Sequence, residues 1–276
     1  MSKYINKAIG EFKERIREEK VSLFLDYDGT LTPIVGRHEK ARLSYLMKEL
    51  LRKLKRSYPV AVISGRGLDD LQEKVGIDGV VYAGNHGLEI YSEEMSFRIK
   101  GAGRLKTALN QITMELEPII EGIKGVIVEN KGLTASIHYR LVDRRETPRL
   151  IEVVKEKLSP YIEEGKIRIT EGKKVIEIRP PVDWDKGKAV KWILRRGGFK
   201  GTMPVYIGDD ETDRDVFKVL KGCGISIVVG HRWQDTDYFL KGQDEVSGFL
   251  KWFGLSLDSR YINCRNSCSD YYAGDP

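Results

Sequence analysis

The stretch LFLDYDGTLTPI, from Leu23 to Ile34, runs an apolar segment into two aspartates, Asp26 and Asp28, followed by Gly29. Val21 to Leu25 is short and nearly all apolar, the pattern of a strand buried on both faces of a parallel sheet. Asp26 and Asp28 then stand at its carboxyl end, where open α/β sheets bind ligands. Residues two apart in a strand project to one side, and a glycine lets the backbone turn closely past a bound group. Two carboxylates so close repel each other unless a cation joins them, and a hard divalent ion such as Mg2+ is the natural partner. The same residues also suit an Asx-type turn closing a strand. On this segment alone both readings stay open.

Outward from this strand the pattern repeats. Ala41 to Arg56 reads as a helix with Leu43, Leu46, Met47, Leu50, Leu51 and Leu54 on one face. Pro59 leads into VAVIS, a second buried strand ending at Ser64, and Gly65-Arg66-Gly67 turns the chain into another helix. VVYAGNHG is a third strand and turn. Strands alternating with helices predict an α/β fold with a parallel sheet. After about Tyr91 the texture changes. Leu105 to Ile120 is helical, GVIVEN and LTASIHYR pair around Asn130-Lys131-Gly132, Thr147-Pro148 starts a helix to about Leu158 with Thr147 as cap, and KIRIT and KVIEIR are strands. From Trp184 the α/β pattern returns, with helices over Lys186 to Arg196, Thr212 to Lys221 and Asp244 to Phe253, and strands PVYIG and GISIVV. The reading is a core from residues 1–96 and 182–253, an inserted α+β block at 97–181, and a poorly ordered tail at 254–276 that is short of aliphatic residues.

Composition narrows the function. Hydrophobic residues are 41% and charged residues 32%, which describes a soluble globular chain. The net charge of +6 is modest for 276 residues and suits an anionic small substrate or a nonspecific polyanion. The lysines are scattered, with no basic run among aromatics, which argues against nucleic acid. Three cysteines, Cys223, Cys264 and Cys268, form no disulfide framework and point to a reducing, cytoplasmic setting. Cys264 and Cys268 lack a second pair at zinc spacing. No apolar run reaches the ~18 residues that span a membrane, and the charged amino-terminal segment reads as no signal peptide.

Three further strand or helix ends carry candidate chemistry. YIGDDETDRDVF ends a strand at Gly208 and then places Asp209, Asp210 and Asp213 at the mouth of a helix. Any one of them is an ordinary cap, but with Asp26 and Asp28 they also make a second acidic strand end for one Mg2+. Ser64, beside glycines, can hydrogen-bond a phosphate oxygen together with backbone N–H groups. Lys186 opens a helix, where a cation is unfavourable. It is either solvated or placed among the carboxylates.

In this order, DYDGT, Ser64, Lys186 and GDDETD resemble the four motifs of the haloacid dehalogenase superfamily. The longer segments DYDGTLTPI, ISGR, GNHGLEI, ENKGLTASIHYR, EIRPP with DKGKAV, and GDDETDRDVF resemble trehalose-6-phosphate phosphatases, over roughly Val21 to Phe253. The resemblance implies a Rossmann-like core with an inserted cap. It implies Asp26 as nucleophile, forming an aspartyl-phosphate, and Asp28 as general acid and then base. Mg2+ would lie between Asp26, the backbone carbonyl of Asp28, and Asp209, with Asp210 and Asp213 behind them. Ser64 and Lys186 would hold phosphoryl oxygens. Sugar contacts would come from Asn85, His86 and Glu89 at the core edge and from Lys131, His138, Arg140, Glu177 and Arg179 on the cap. For His138 and Arg140 a solvated sheet face is the alternative, and for Glu177 and Arg179 a structural ion pair. Arg66 either orders the loop after Ser64 or reaches phosphate. The expected ligand is a small sugar phosphate, without nucleic acid, membrane or an obligate protein partner. Phosphatases of sucrose phosphate or mannosylphosphoglycerate, and a phosphosugar-binding regulator without turnover, are the competing readings. Asp28 speaks against carbon–halogen chemistry, which has no use for an acid two residues after the nucleophile.

Overall fold

The computed structural model describes residues 2–172 and 174–267. In chain order the strands are β1 (Lys3–Tyr4), β2 (Val21–Asp26), β3 (Val60–Ile63), β4 (Val81–Gly84), β5 (Glu89–Tyr91), β6 (Ser96–Arg98) and β7 (Ile127–Asn130). They continue as β8 (Ala135–His138), β9 (Arg168–Gly172), β10 (Val175–Arg179), β11 (Met203–Gly208), β12 (Ile225–Val229) and β13 (Tyr238–Leu240). The helices are α1 (Ile9–Arg15), α2 (Tyr45–Leu54), α3 (Leu68–Val75), α4 (Ala102–Ile120), α5 (Thr147–Glu163), α6 (Lys186–Ile193), α7 (Arg214–Leu220) and α8 (Asp244–Ser267).

A nine-stranded sheet has the order β1-β13-β12-β11-β2-β3-β4-β5-β6. It is parallel from β1 to β4, and the β5–β6 hairpin extends it antiparallel. β2 lies between β11 and β3, and all six of its residues are buried. Leu23 and Leu25 share one hydrophobic layer with Phe12, Leu51 and Phe253. Phe24 faces the opposite layer, with Val190, Ile193, Val216 and Phe217 of α6 and α7. Both faces are covered, so the strand shows no polar alternation. Asp26 continues the parity of Phe24 and is therefore directed toward the α6 and α7 side.

The second sheet, β7-β8-β10-β9, is antiparallel throughout. One face packs on α4 and α5 through Ala135, Ile137, Ile176 and Ile178 against Leu109, Leu116, Leu150 and Val154. Alternation turns Glu129, Ser136, His138 and Glu177 to the other face. Leu88, Ala102 and Leu133 join the two layers, and Trp184 stacks on Phe97 while its indole N–H donates to the Gly87 carbonyl at 2.7 Å. Phe97 and Arg98 thus belong to a strand of the large sheet.

Several boundaries differ from the sequence expectation. α2 begins at Tyr45, not Ala41, because the Ser44 hydroxyl caps it by accepting from the Met47 N–H at 3.1 Å. Leu46 is 55% exposed, off the buried face assigned to it. Thr147 is inside α5 rather than its cap, and its hydroxyl donates to the Asp143 carbonyl. α6 stops at Ile193, short of Arg196. α8 does not end at Phe253 but runs to Ser267; a helical glycine such as Gly254 costs only about 1 kcal/mol and does not stop it. Residues 254–267 continue α8, and the rest of the expected tail, with Cys268, lies outside the described residues.

Candidate active site

The carboxyl ends of β2, β3 and β11 and the start of α6 meet at one point. Asp26, Ser64, Lys186, Asp209 and Asp213 are all buried there. The Lys186 ammonium donates to Asp26 Oδ1 at 2.6 Å and to Asp213 Oδ1 at 2.7 Å. Asp185 caps α6 by accepting from the Lys188 N–H at 2.8 Å, which sets Lys186 on the first turn facing the sheet. Burial pushes the ammonium pKa down, but Asp213 and Asp26 more than reverse this and raise it. A lysine in this setting carries a fixed charge and cannot serve as a base at neutral pH.

Asp26, Asp209 and Asp213 each offer a carboxylate oxygen within 4.8 Å of the others. Three carboxylates face one ammonium. Burial, and then the Asp213 and Asp209 charges, push the Asp26 carboxyl well above its ordinary range despite Lys186. Such a donor set fits a hard dication with oxygen ligands. The oxygens of Asp213 are already engaged: Oδ1 by Lys186 and the Tyr206 hydroxyl at 2.6 Å, Oδ2 by the Asp210 N–H at 2.9 Å. Asp213 thereby anchors Lys186. Asp210 caps the following turn reciprocally with Asp213. Gly29, at φ +86°, is required twice over: its backbone is left-handed, and a Cβ there would land on the Asp209 carboxylate.

Asp28 lies at the rim, its side chain 41% exposed. Arg66 grips both its oxygens, Nε to Oδ2 and Nη2 to Oδ1, each at 2.7 Å. The same guanidinium donates to Asp70 and to the His38 carbonyl, each at 2.8 Å, and lies over the Tyr27 ring. Arg66 thus holds Asp28, a partner that neither sequence reading of Arg66 named. Ser64 accepts the Arg66 backbone N–H at 3.2 Å.

Across the cleft the second sheet presents Glu177. Its oxygens lie 3.0 Å from His86 Nε2, and Lys131 Nζ approaches to 3.3 Å while donating to the Gly65 carbonyl at 3.0 Å. Burial pushes the Glu177 carboxyl up, but the His86 and Lys131 interactions outweigh it and leave it well below the usual range. Burial dominates at His86, whose pKa falls to about 4 although Glu177 opposes the shift. The ring is therefore neutral at pH 7, donating its Nε2–H to Glu177. His86 and Asn85 both hold left-handed backbone, at φ 57° and 50°. Asn85 is consumed structurally, donating to Glu89 and the Lys131 carbonyl and accepting from Thr134 at 2.6 Å. Glu89 in turn pairs with Arg98 at 2.9 Å. Arg179 is buried, its Nε without a hydrogen-bond partner among the described residues. Arg140 is exposed beyond the end of β8.

His86 makes stability depend on pH. Its folded pKa is depressed, so the unfolded chain binds the extra proton between the unfolded value of 6.5 and about 4. The stability it contributes is complete above 6.5 and is lost as pH falls through that window, by about 3 kcal/mol. In urea titrations from pH 7 to pH 4, His86→Asn should flatten the decline, since asparagine tolerates the left-handed backbone and does not titrate. An unchanged slope would remove His86 as its source.

His138 does not stand on a solvated face. Its Nε2 lies 2.8 Å from Glu129 Oε2, and its ring stacks on His38 at 5.0 Å. Sequence reasoning missed both partners. Glu129 shares the strand parity of Lys131 and was open to detection, whereas His38 sits in an irregular loop with no periodic signal. Tyr206 and Asp70 were missed too, because only the assembled fold brings them to Asp213 and Arg66.

The trehalose-phosphatase family matches over residues 24–243. "Probable trehalose-phosphate phosphatase D" of Arabidopsis thaliana is 38% identical over 272 residues, covering 91% of this chain and 72% of that protein. "Probable trehalose-phosphate phosphatase 4" of Oryza sativa subsp. japonica is 38% identical over 256 residues, covering 88% and 69%. Among solved structures, the C-terminal domain of a trehalose-6-phosphate phosphatase from C. albicans superposes with a TM-score of 0.77 at 22% identity, over 92% of this chain and 98% of that one. A haloacid dehalogenase-like hydrolase from Bacteroides thetaiotaomicron gives 0.60 at 16% identity, over 86% and 100%. At those identities the structures speak to the fold alone, and the fold is the α/β, parallel-sheet core of haloacid dehalogenase-like hydrolases.

Proposed function

The chain belongs to the trehalose-phosphatase family and is a phosphomonoester hydrolase, and from that premise we propose that it hydrolyses trehalose 6-phosphate through an aspartyl-phosphate on Asp26. The observation that carries this reading is the convergence of Lys186 on Asp26 and Asp213, with Asp209 beside them, at the ends of β2 and β11. Asp26 and Asp209, with the backbone carbonyl of Asp28, would hold Mg2+, which supplies charge neutralisation for the transferring phosphoryl group.

In the first half-reaction an Asp26 carboxylate oxygen forms a bond to phosphorus as the bond from phosphorus to the sugar oxygen breaks. Asp28 gives that oxygen a proton. In the second, Asp28 takes a proton from water, the water oxygen bonds to phosphorus, and the Asp26 carboxylate is released. Both Asp28 oxygens accept from Arg66, an arrangement that suits the second half, where Asp28 takes the proton. To donate, one oxygen must turn from the guanidinium toward the sugar. Lys186 and Ser64 hold phosphoryl oxygens. Unassisted monoester hydrolysis is among the slowest biological reactions, with accelerations up to ~10²¹, so positioning and fixed charge must act together.

The opposing sheet supplies the sugar contacts in this reading, with Lys131, Glu177 and Arg179 presenting charged hydrogen-bonding groups to hydroxyls. The inserted block acts as the cap, beginning at residue 99 rather than 97 because Phe97 and Arg98 pair within the large sheet; the substrate is a free small molecule, and the sparse cysteines favour a cytoplasmic setting. No helix among the described residues is long and apolar enough to cross a membrane. A phosphate-release panel with Mg2+ tests the substrate. Trehalose 6-phosphate should be preferred at least tenfold over sucrose 6-phosphate and glucose 6-phosphate. Equal rates across the panel would defeat the specificity, and no release from any sugar phosphate would defeat the chemistry.

A further inference from the structure

We infer that His38, Glu129 and His138 form a second cation site, suited to a zinc-class ion, that clasps the inserted sheet to the loop following β2. Two imidazole Nε2 atoms and one carboxylate oxygen lie within 4.8 Å of one another. His38 Nε2 is 3.4 Å from Glu129 Oε1, and His138 Nε2 is 2.8 Å from Oε2. Ligand atoms about 2 Å from a tetrahedral ion stand roughly 3.3 Å apart, so small side-chain rotations seat the ion. The ion would take the place of the direct His138–Glu129 contact.

The donor set sets this site apart from the acidic cluster. Imidazole nitrogens with one carboxylate select zinc over magnesium, whereas an all-oxygen set selects the harder ion. The placement is also distinct. Glu129 and His138 are diagonal neighbours on β7 and β8, since Glu129 pairs with Ser136 and Ile127 with His138. His38 comes from the other layer, in a single helical turn at His38–Lys40. The three side chains are only 16–27% exposed, enclosed by the interface yet open to solvent. The His38 carbonyl accepts from Arg66, which grips Asp28. An ion on His38 therefore fixes the loop that supports Asp28 as well as the sheet above it. Binding does not depend on the function proposed above, but the kinetic consequence, inhibition by holding the layers shut, rests on it.

The test titrates zinc into the full chain under saturating Mg2+, which occupies the acidic cluster, followed by calorimetry. His38→Ala/His138→Ala should bind one fewer zinc ion than wild type, and each single change should weaken that equivalent at least tenfold. Zinc should also raise the wild-type melting temperature and leave that of the double variant unmoved. His38→Gln/His138→Gln, which keeps hydrogen-bonding capacity, serves if the alanine pair fails to fold. The same number of ions bound at the same affinity in wild type and in a folded double variant would overturn the site. Zinc inhibition of equal size in wild type and His38→Gln would overturn the clasp and assign the inhibition to the acidic cluster.

Discussion

Asp26→Asn is expected to abolish turnover, by a factor on the order of 10⁴–10⁶, while the chain folds and does not lose stability at neutral pH. The kinetic part follows from chemistry, since an amide oxygen is no nucleophile toward phosphorus. The stability part follows from the surroundings. Burial and the charges of Asp213 and Asp209 hold the Asp26 carboxyl well above its ordinary range, with Lys186 only partly offsetting them. A carboxyl that binds its proton more tightly folded than unfolded loses stability as pH rises above the unfolded value, so ionised Asp26 is a burden at pH 7. Asparagine keeps an oxygen for the Lys186 ammonium and removes the repulsion. Without divalent ions its melting temperature should match or exceed that of wild type. With Mg2+ the order should reverse, because wild type gains more from the ion. Phosphate release measured alongside thermal unfolding, with and without Mg2+, checks both halves. Surviving turnover would show that Asp26 is not the nucleophile.

Lys186→Met should be damaging in both respects. The ammonium is 3% exposed and lies between two buried carboxylates. Breaking a buried pair by removing one partner costs about 3–5 kcal/mol, because the remaining charge is left uncompensated. Loss of a fixed charge beside the phosphoryl group should lower the rate about 10²–10³-fold. Both partners are identified, so the origin of the stability loss can be checked. Adding Asp213→Asn should return part of the lost stability without restoring turnover, since it removes stranded negative charge but supplies no cation. Urea unfolding of the single and double variants gives the coupling. A Lys186→Met chain as stable and as fast as wild type would dismantle the site.

The acidic centre was legible early because each of its parts sits at the end of a strand or the start of a helix, where local pattern is strongest. Asp26, Ser64 and Asp209 were placed at the ends of apolar runs and Lys186 at the start of a helix, and the structure brings Asp26, Lys186 and Asp209 together. The rim was less legible. Arg66 was known to be near Ser64, but its fork on Asp28 depends on β2 and β3 lying side by side in the sheet. Asn85 and Glu89 read as open sugar contacts, yet they are tied to Thr134 and Arg98. A polar residue in a turn looks the same in sequence whether it faces solvent, a ligand or another side chain.

What the chain determines on its own is whatever depends on neighbours within about ten residues: buried strands, amphipathic helices, the polarity of strand ends and the glycine turns beside them. Backbone sterics and apolar burial act over that range and leave a periodic trace. What only the tertiary structure decided is which charges compensate one another. Lys186 lies 160 residues from Asp26 in the chain, and His38 reaches His138 from a different layer. Electrostatic pairing in a low-dielectric interior depends on distance in space, and no local pattern encodes that distance.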